Sequence, residues 1–411
     1  MNPIHGPLAH YAERLHRAAG DTHHVASSLG AWLLLALTGP AATGDARARL
    51  EEALGTDVDR AAEAAHALLA APHPLVAAAT ALWERTPFAE LAGWRATLPE
   101  RTQTGPLPDQ ATLDAWAREH TDGLIDRFPL GVTPDTLLIL ASALATKVSW
   151  AEPFQVAPAE QLGPDSPWAG RIDRVLRTPW HGHRRWIATT ERAGEVAVHA
   201  APARPVSADR VEAGMLVVSV AAAPDVPAAD VLAAAEKIAA GAADGREPGR
   251  RSLYDLPLVD TPLWTLREET VRTFAPGGRE ERVSAVLPCW SAESRHDLTP
   301  AGFGFDAAAR ALGTLMGLAE PPYEAVQSAV ARYGRYGFEA AAVTGLAVAT
   351  GLPPEGVARV AELRFGHPYA VVAVATDSAG GPWHGLPVYS AWVAEPQELP
   401  EDELADPPTQ W

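Results

Sequence analysis

Three groupings of side chains have the types that catalysis or metal binding would need. Cys289, His296 and Asp297 are the components of a thiol catalytic set, in which a histidine activates the sulfur and a carboxylate orients the histidine. Cysteine and histidine are seven residues apart, on a strand running into a loop. That spacing forbids contact unless the chain folds back, so Cys289 reads as a buried structural thiol. His181-Gly182-His183 holds two metal-type ligands, and His23-His24 two more. No cysteine or acidic cluster stands nearby to complete a tetrahedral site in either case. Gly302-Phe303-Gly304 is a lone glycine pair without the other residues of a phosphate loop. None of the three supports a catalytic residue, a metal or a cofactor.

A different chemistry is written at Gly337-Phe338-Glu339-Ala340-Ala341-Ala342-Val343-Thr344, which continues into Gly345-Leu346-Ala347-Val348-Ala349-Thr350-Gly351-Leu352. From Phe338 to Leu352 there is no proline, and Glu339 is the one charge. Solvent loops are normally polar and rich in turn formers. A small, apolar, proline-free loop has a physical reason if the segment must also serve as a strand, because proline cannot donate to a ladder. The segment therefore reads as a loop with two destinations, outside a sheet or within one.

The rest of the chain must supply that sheet. It has 411 residues, 47% hydrophobic and 20% charged, a globular composition. The 37 prolines are spread along it, and no linker or repeat divides it, so residues 1–411 read as one domain. A net charge of −18, with no basic tract, argues against nucleic acid or an anionic membrane as partner. One cysteine excludes an internal disulfide. The apolar run 29–37 is too short to span a bilayer and starts too deep, behind Asp21, for a signal sequence. The cytoplasm is thus placed ahead of an extracellular location.

Apolar spacing at Leu8, Tyr11, Ala12, Leu15 and Ala19 predicts a first helix. Ser27-Ser28 caps an apolar second one, and helices are expected from Asp45 and over 61–69, 109–128 (interrupted at Thr121-Asp122-Gly123), 227–240 and 305–318. The run 76–83 is strand or helix. Strands are expected at 136–145, 215–221, 281–287 and 325–333, with a hairpin over 369–376 and 388–394. The middle, 155–280, is the least legible part. Strands and helices without βαβ alternation point to an α+β fold.

Several of these stretches, in order, resemble the serpin family. The helix from Ser27, with Gly44-Asp45-Ala46 behind it, is similar to the family's early helix pair and its shutter serine. Trp116, Thr121-x-Gly123-x-Ile125, Asp135-Thr136 and Trp150-x-x-Pro153-Phe154 resemble the next signature. Leu287-Pro288 through Asp297-Leu298 resembles a third. Gly337-Phe338-Glu339-Ala340-Ala341-Ala342 resembles the hinge of the family's reactive loop, and Phe365-Gly366-His367-Pro368 its closing motif. The resemblance, to a divergent member of bacterial type, implies a monomeric serpin fold of three β-sheets and about nine helices, with an exposed reactive loop at about 337–364. It implies a suicide inhibitor of serine proteases with no catalytic residue, cofactor or metal of its own. In that family the cleaved loop inserts into a sheet and traps the protease as an acyl-enzyme.

The chain departs from the family at identifiable residues. Counting by twos from Gly337, the inward set of an inserted strand is Phe338, Ala340, Ala342 and Thr344. Phe338 stands where a small residue is usual, and fitting it costs roughly 1–3 kcal/mol unless the slot is wider there. Arg335-Tyr336 stand where acids are usual, and Cys289 where their basic partner would be. Ser142 replaces an asparagine and Gly30 a small polar residue. Ser27 and Gln327 can still bond across the shutter, and Trp150 marks the breach above it. Counting forward from the hinge puts the bait bond at Gly351-Leu352. Counting back from Pro368 puts it near Val357, which favours cleavage after Arg359, before Val360. The alternative function is a non-inhibitory serpin-fold binding protein whose loop is cleaved without trapping.

Overall fold

The computed structural model describes residues 2–208, 211–337 and 354–404. The first half of the chain forms helix α1 (His5–Ala19), strand β1 (His24–Ala26), helices α2 (Ser28–Thr38), α3 (Gly44–Leu54) and α4 (Val58–Ala70), and strand β2 (Ala77–Glu84). Helix α5 (Ala92–Arg95), strand β3 (Gln103–Pro106), helix α6 (Gln110–His120) and strand β4 (Leu138–Ala145) follow. Next come strands β5 (Gln155–Pro158), β6 (Arg174–Arg177), β7 (Arg184–Thr190), β8 (Gly194–Pro202), β9 (Val206–Ala208) and β10 (Val211–Ala221). The second half adds α7 (Ala228–Ala243), β11 (Trp264–Arg272), β12 (Arg279–Leu287), β13 (Trp290–Asp297), α8 (Phe305–Leu315), β14 (Val326–Tyr333), β15 (Glu355–Arg364), β16 (Tyr369–Asp377) and β17 (Pro387–Val393).

Local signals account for many of the boundaries. Ser27 starts α2 by accepting the N–H of Gly30 on its hydroxyl. Asp57 and Asp109 do the same work for α4 and α6. Helix α3 stops at Gly55 in the left-handed conformation, φ +70°. The helix begun at Asp109 is interrupted where the sequence placed the break, stopping at His120. Asp122 and Gly123 both have positive φ (53° and 74°), and the chain does not resume a helix before Phe128. The ambiguous run at 76–83 is strand, because it pairs with β4 on one side and β3 on the other.

The strands assemble into a seven-stranded sheet in the order β1-β17-β16-β10-β8-β7, with β9 against β10, and a five-stranded sheet in the order β11-β15-β12-β6-β5. Two small ladders complete the set among the described residues, β3-β2-β4 and β13-β14. The middle of the chain, illegible in the sequence, supplies short strands to both large sheets. Its strand β6, Arg-Val-Leu-Arg, is too short to display a period.

The apolar interior lies between these layers. One cluster joins α1–α4, α8 and the C-terminal strands, with Ile4 and Val388 in the same core. A second fills the space between the two large sheets, and a third lies between α7 and the seven-stranded sheet. A fourth packs α6 and Phe128 onto β2 and β4 through Trp83, Trp116 and Ile139. No described helix is long and apolar enough to cross a membrane.

Candidate functional site

Strands β4 and β14 end side by side. Beyond them Ser149 forms a bridge with Gly337, and the Trp150 N–H donates to the Tyr336 carbonyl at 3.1 Å. The indole N–H of Trp150 donates to the Gly334 carbonyl at 2.9 Å, and its ring lies 5.0 Å from that of Tyr333. Away from this junction the two strands share no ladder among the described residues. A cavity of about 640 Å³ lies between their N-terminal halves, lined by Leu138, Leu140, Ser142, Glu324, Val326 and Ser328 among others. A smaller one of about 90 Å³ sits nearer the junction, against Val148, Val330 and Gly337. Among the described residues both strands therefore present an unpaired edge to the same slot, and both point toward Gly337. A segment turning back there would run antiparallel to each of them.

Gly337 has the backbone for such a reversal, with φ +78°. A side chain at this position would overlap the Val148 carbonyl and come within 2.9 Å of Ser149 Cα. The hinge residues Phe338, Glu339, Ala340, Ala341 and Ala342, and the bait candidates Gly351 and Leu352, lie outside the described residues.

The other bait candidates do not fit. Arg359 and Val360 sit in the middle of β15, which is paired to β11 on one side and β12 on the other. Arg359 is bonded to Glu268 at 3.0 Å and to the Leu256 carbonyl at 3.1 Å. A protease needs an extended, unpaired segment, and reaching this bond would strip two ladders at once. The backward count from Pro368 failed because it took the strand 355–364 for loop.

The shutter residues lie on the floor of the slot. The Ser27 N–H donates to Gln327 Oε1 at 2.9 Å, and Gln327 Nε2 donates to the Ser27 carbonyl at 2.7 Å. The Ser27 hydroxyl donates to the Val388 carbonyl at 2.8 Å, and the Ser142 hydroxyl to the Gly30 carbonyl at 2.9 Å. A residue that sequence reasoning missed, Tyr389, donates its hydroxyl to the carbonyl of Leu144 on the slot's other wall. Nothing local distinguishes it from any tyrosine in a strand.

Above the slot, the acid-and-base pairing expected from the family is replaced by another. Arg335 is buried and donates from Nε to the Phe154 carbonyl at 3.0 Å and from Nη1 to the Glu403 carbonyl at 2.8 Å. The Glu403 carboxylate accepts the Arg335 backbone N–H at 2.6 Å, and burial raises its pKa. Gly334 permits this approach, since a Cβ there would stand 2.8 Å from Glu403 Oε1. The signal was present in the unexpected Arg335, but its partner came from the far end of the chain. Cys289 is buried at this level, and desolvation pushes its thiol well up. It stands just before β13 while His296 is near that strand's far end, bonded to the Val25 carbonyl at 2.8 Å. His183 spends its ring nitrogens on His199 and the Glu152 carbonyl.

No protein-family model and no curated protein matches the sequence. Solved structures match the fold over nearly all of it. The thermophilic serpin tengpin in its native state aligns with a TM-score of 0.60 at 13% identity, covering 95% of this chain and 93% of that one. Human thyroxine-binding globulin in complex with its hormone gives 0.60 at 14%, covering 96% and 99%. A Manduca sexta serine protease inhibitor of the serpin type gives 0.54 at 13%, covering 97% and 100%. With these alignments over nearly its whole length, the chain has the serpin fold.

Proposed function

We propose that the protein is a suicide inhibitor of serine endopeptidases, with residues 338–353 as bait and the space between β4 and β14 as the place the cut loop enters. The observation that carries this reading is the slot itself, two strand edges that no described strand pairs, converging on a glycine whose backbone suits a reversal. The loop's alternation of Ala340, Ala342 and Thr344 matches a strand that must enter a packed sheet quickly. In the reaction the protease serine oxygen bonds to the carbonyl carbon at the bait position. The peptide C–N bond breaks and the amine leaves protonated on the loop's C-terminal part. Insertion then outruns hydrolysis of the ester and displaces the enzyme. The inhibitor binds and moves, and the protease supplies the chemistry.

Because Arg359 is held in two ladders, we take the bait bond from the forward count, at Gly351-Leu352. No lysine or arginine occurs from Phe338 to Ala358, so the matching protease is one that accepts small or apolar residues. Trypsin, chymotrypsin, elastase and subtilisin mixed with the protein and run on a denaturing gel test this directly. A covalent complex is expected with one of the last three and none with trypsin, with mass placing the cut between 338 and 353. Cleavage there without any complex would support the second reading, a binding protein whose loop is only a substrate.

Phe338 is the observation that favours this second reading, and thyroxine-binding globulin is a structural neighbour that binds a ligand. If the phenylalanine slows insertion, Phe338→Thr lowers the number of inhibitor molecules consumed per protease trapped, as titration of residual protease activity would record. A roughly 1–3 kcal/mol overpacking cost removed from the insertion barrier corresponds to about 5- to 150-fold in its rate. An unchanged ratio would remove Phe338 as the limiting residue.

A further inference from the structure

Away from the slot, a line of polar side chains crosses the core between α7, β17, α1 and β1. Glu236 of α7 is 4% exposed, and its two carboxyl oxygens have no hydrogen-bond partner. The Ser390 hydroxyl of β17 is close enough to act on the Glu236 carboxyl, although no hydrogen bond of ordinary length joins them. The Ser390 hydroxyl lies 2.6 Å from His16 Nε2, and His16 Nδ1 lies 2.8 Å from His24 Nε2. His24 Nδ1 ends the line at 2.8 Å from the Thr22 carbonyl. Ser390, His16 and His24 are each no more than 3% exposed.

The carbonyl at the end sets the direction of every bond. It can only accept, so His24 carries its proton on Nδ1 and offers a lone pair at Nε2. His16 must then donate from Nδ1, which leaves its Nε2 to accept the hydroxyl proton of Ser390. With that proton committed, Ser390 has only lone pairs to turn toward Glu236. A carboxylic acid there can donate to the serine oxygen, whereas a carboxylate would meet lone pairs. We infer that Glu236, Ser390, His16 and His24 form a neutral one-way relay that stores one proton on Glu236, and that losing this proton releases the brace between α1, α7 and the large sheet.

Among the described residues the surroundings offer no countercharge. Strand β10 over 216–221 and strand β16 over 370–376 present aliphatic, serine and threonine side chains, and β17 presents Ser390 and Trp392. The charges at the rim are paired with one another: Glu13 with Arg17 and Arg192, Asp230 with Arg192, Lys237 with Glu191. At the other end, His24 faces His296 at 6.0 Å between rings, and His296 is bonded to the Val25 carbonyl; His23 is bonded to the Ser291 carbonyl. Burial accordingly pushes Glu236 up to about 8 and His16 down to about 3, while His24 falls to about 4. Acid and imidazoles are held neutral by the same cause, and the alternative arrangement of carboxylate and imidazolium is disfavoured at both ends. The relay also touches the slot's support. Strand β1 carries His24 at one end, receives Ser294 Oγ on the Val25 N–H, and leads directly to the Ser27–Gln327 pair.

The sign of the pH effect follows from the raised acid. The unfolded chain releases the Glu236 proton above its ordinary value of 4.5 and the folded one keeps it to about 8. Folding stability from this group is therefore whole below pH 4.5 and drains away as the pH rises through 8. The test compares thermal unfolding of the intact protein and Glu236→Gln from pH 5 to 9. Glutamine keeps an N–H to offer Ser390 and cannot ionise, so the variant should gain on the wild type by about 4–5 °C over that range, an equilibrium change of about 700-fold. Parallel pH profiles would overturn the relay. A second measurement needs no variant: nitrogen spectra of labelled histidines in the wild-type protein should show His16 and His24 as Nδ1–H tautomers at pH 7. An imidazolium at His16 would place the proton there instead and overturn the assignment to Glu236.

Discussion

Protein cut once between residues 338 and 353 is expected to melt about 10 °C or more above the intact protein. The slot is bounded by two eight-residue strands, β4 and β14, each with an open edge. A segment entering between them forms roughly ten ladder hydrogen bonds at a net ~0.5–1.5 kcal/mol each, or about 5–15 kcal/mol before any apolar burial. For 411 residues, the usual unfolding entropy converts that into roughly 6–17 °C. Filling the 640 Å³ cavity with alanine and threonine side chains adds to it. Calorimetry of intact and loop-cut protein reads the shift directly. Equal melting temperatures would mean that the cut loop stays out, and the trap would go with it.

Gly337→Val should cost about 2–4 kcal/mol of stability. A β-branched residue at φ +78° bears the left-handed penalty of about 1–2 kcal/mol. Its Cβ also overlaps the Val148 carbonyl, so the Ser149–Gly337 bridge, to which the Trp150-to-Tyr336 hydrogen bond belongs, cannot survive intact. Losing its one or two backbone hydrogen bonds costs about 1 kcal/mol each. Gly170→Val is the control, since a Cβ at Gly170 meets nothing within 4 Å, and it should stay within about 0.5 kcal/mol of wild type. Denaturant midpoints of the two variants decide the point. Matching midpoints would show that the junction above the slot does not depend on Gly337.

Much of this architecture was readable from short-range patterns. The apolar run behind Ser27 had to be a buried helix, because it is capped by a hydroxyl and carries no charge. The strands over 138–145 and 326–333 could be anticipated from an apolar run and an alternating one. The reading failed where the information was not local. Counting back from Pro368 placed the bait bond at Arg359, yet the residues there belong to β15, a strand set by its neighbours β11 and β12 rather than by its own alternation. The break at Thr121-Asp122-Gly123 was legible, whereas the expected return to a helix by Phe128 does not occur.

Residue type and spacing along the chain were enough for the α+β class, the order of the main elements and a loop suited to becoming a strand. These depend on side chains a few positions apart, within reach of a period or a cap. The slot between β4 and β14, the clasp of Arg335 on Glu403 and the relay from Glu236 to His24 came only with the folded chain. Each joins groups that are distant in sequence and buried together. Hydrogen-bond direction and the cost of charge in such places are set by what packs around them, which no local pattern records.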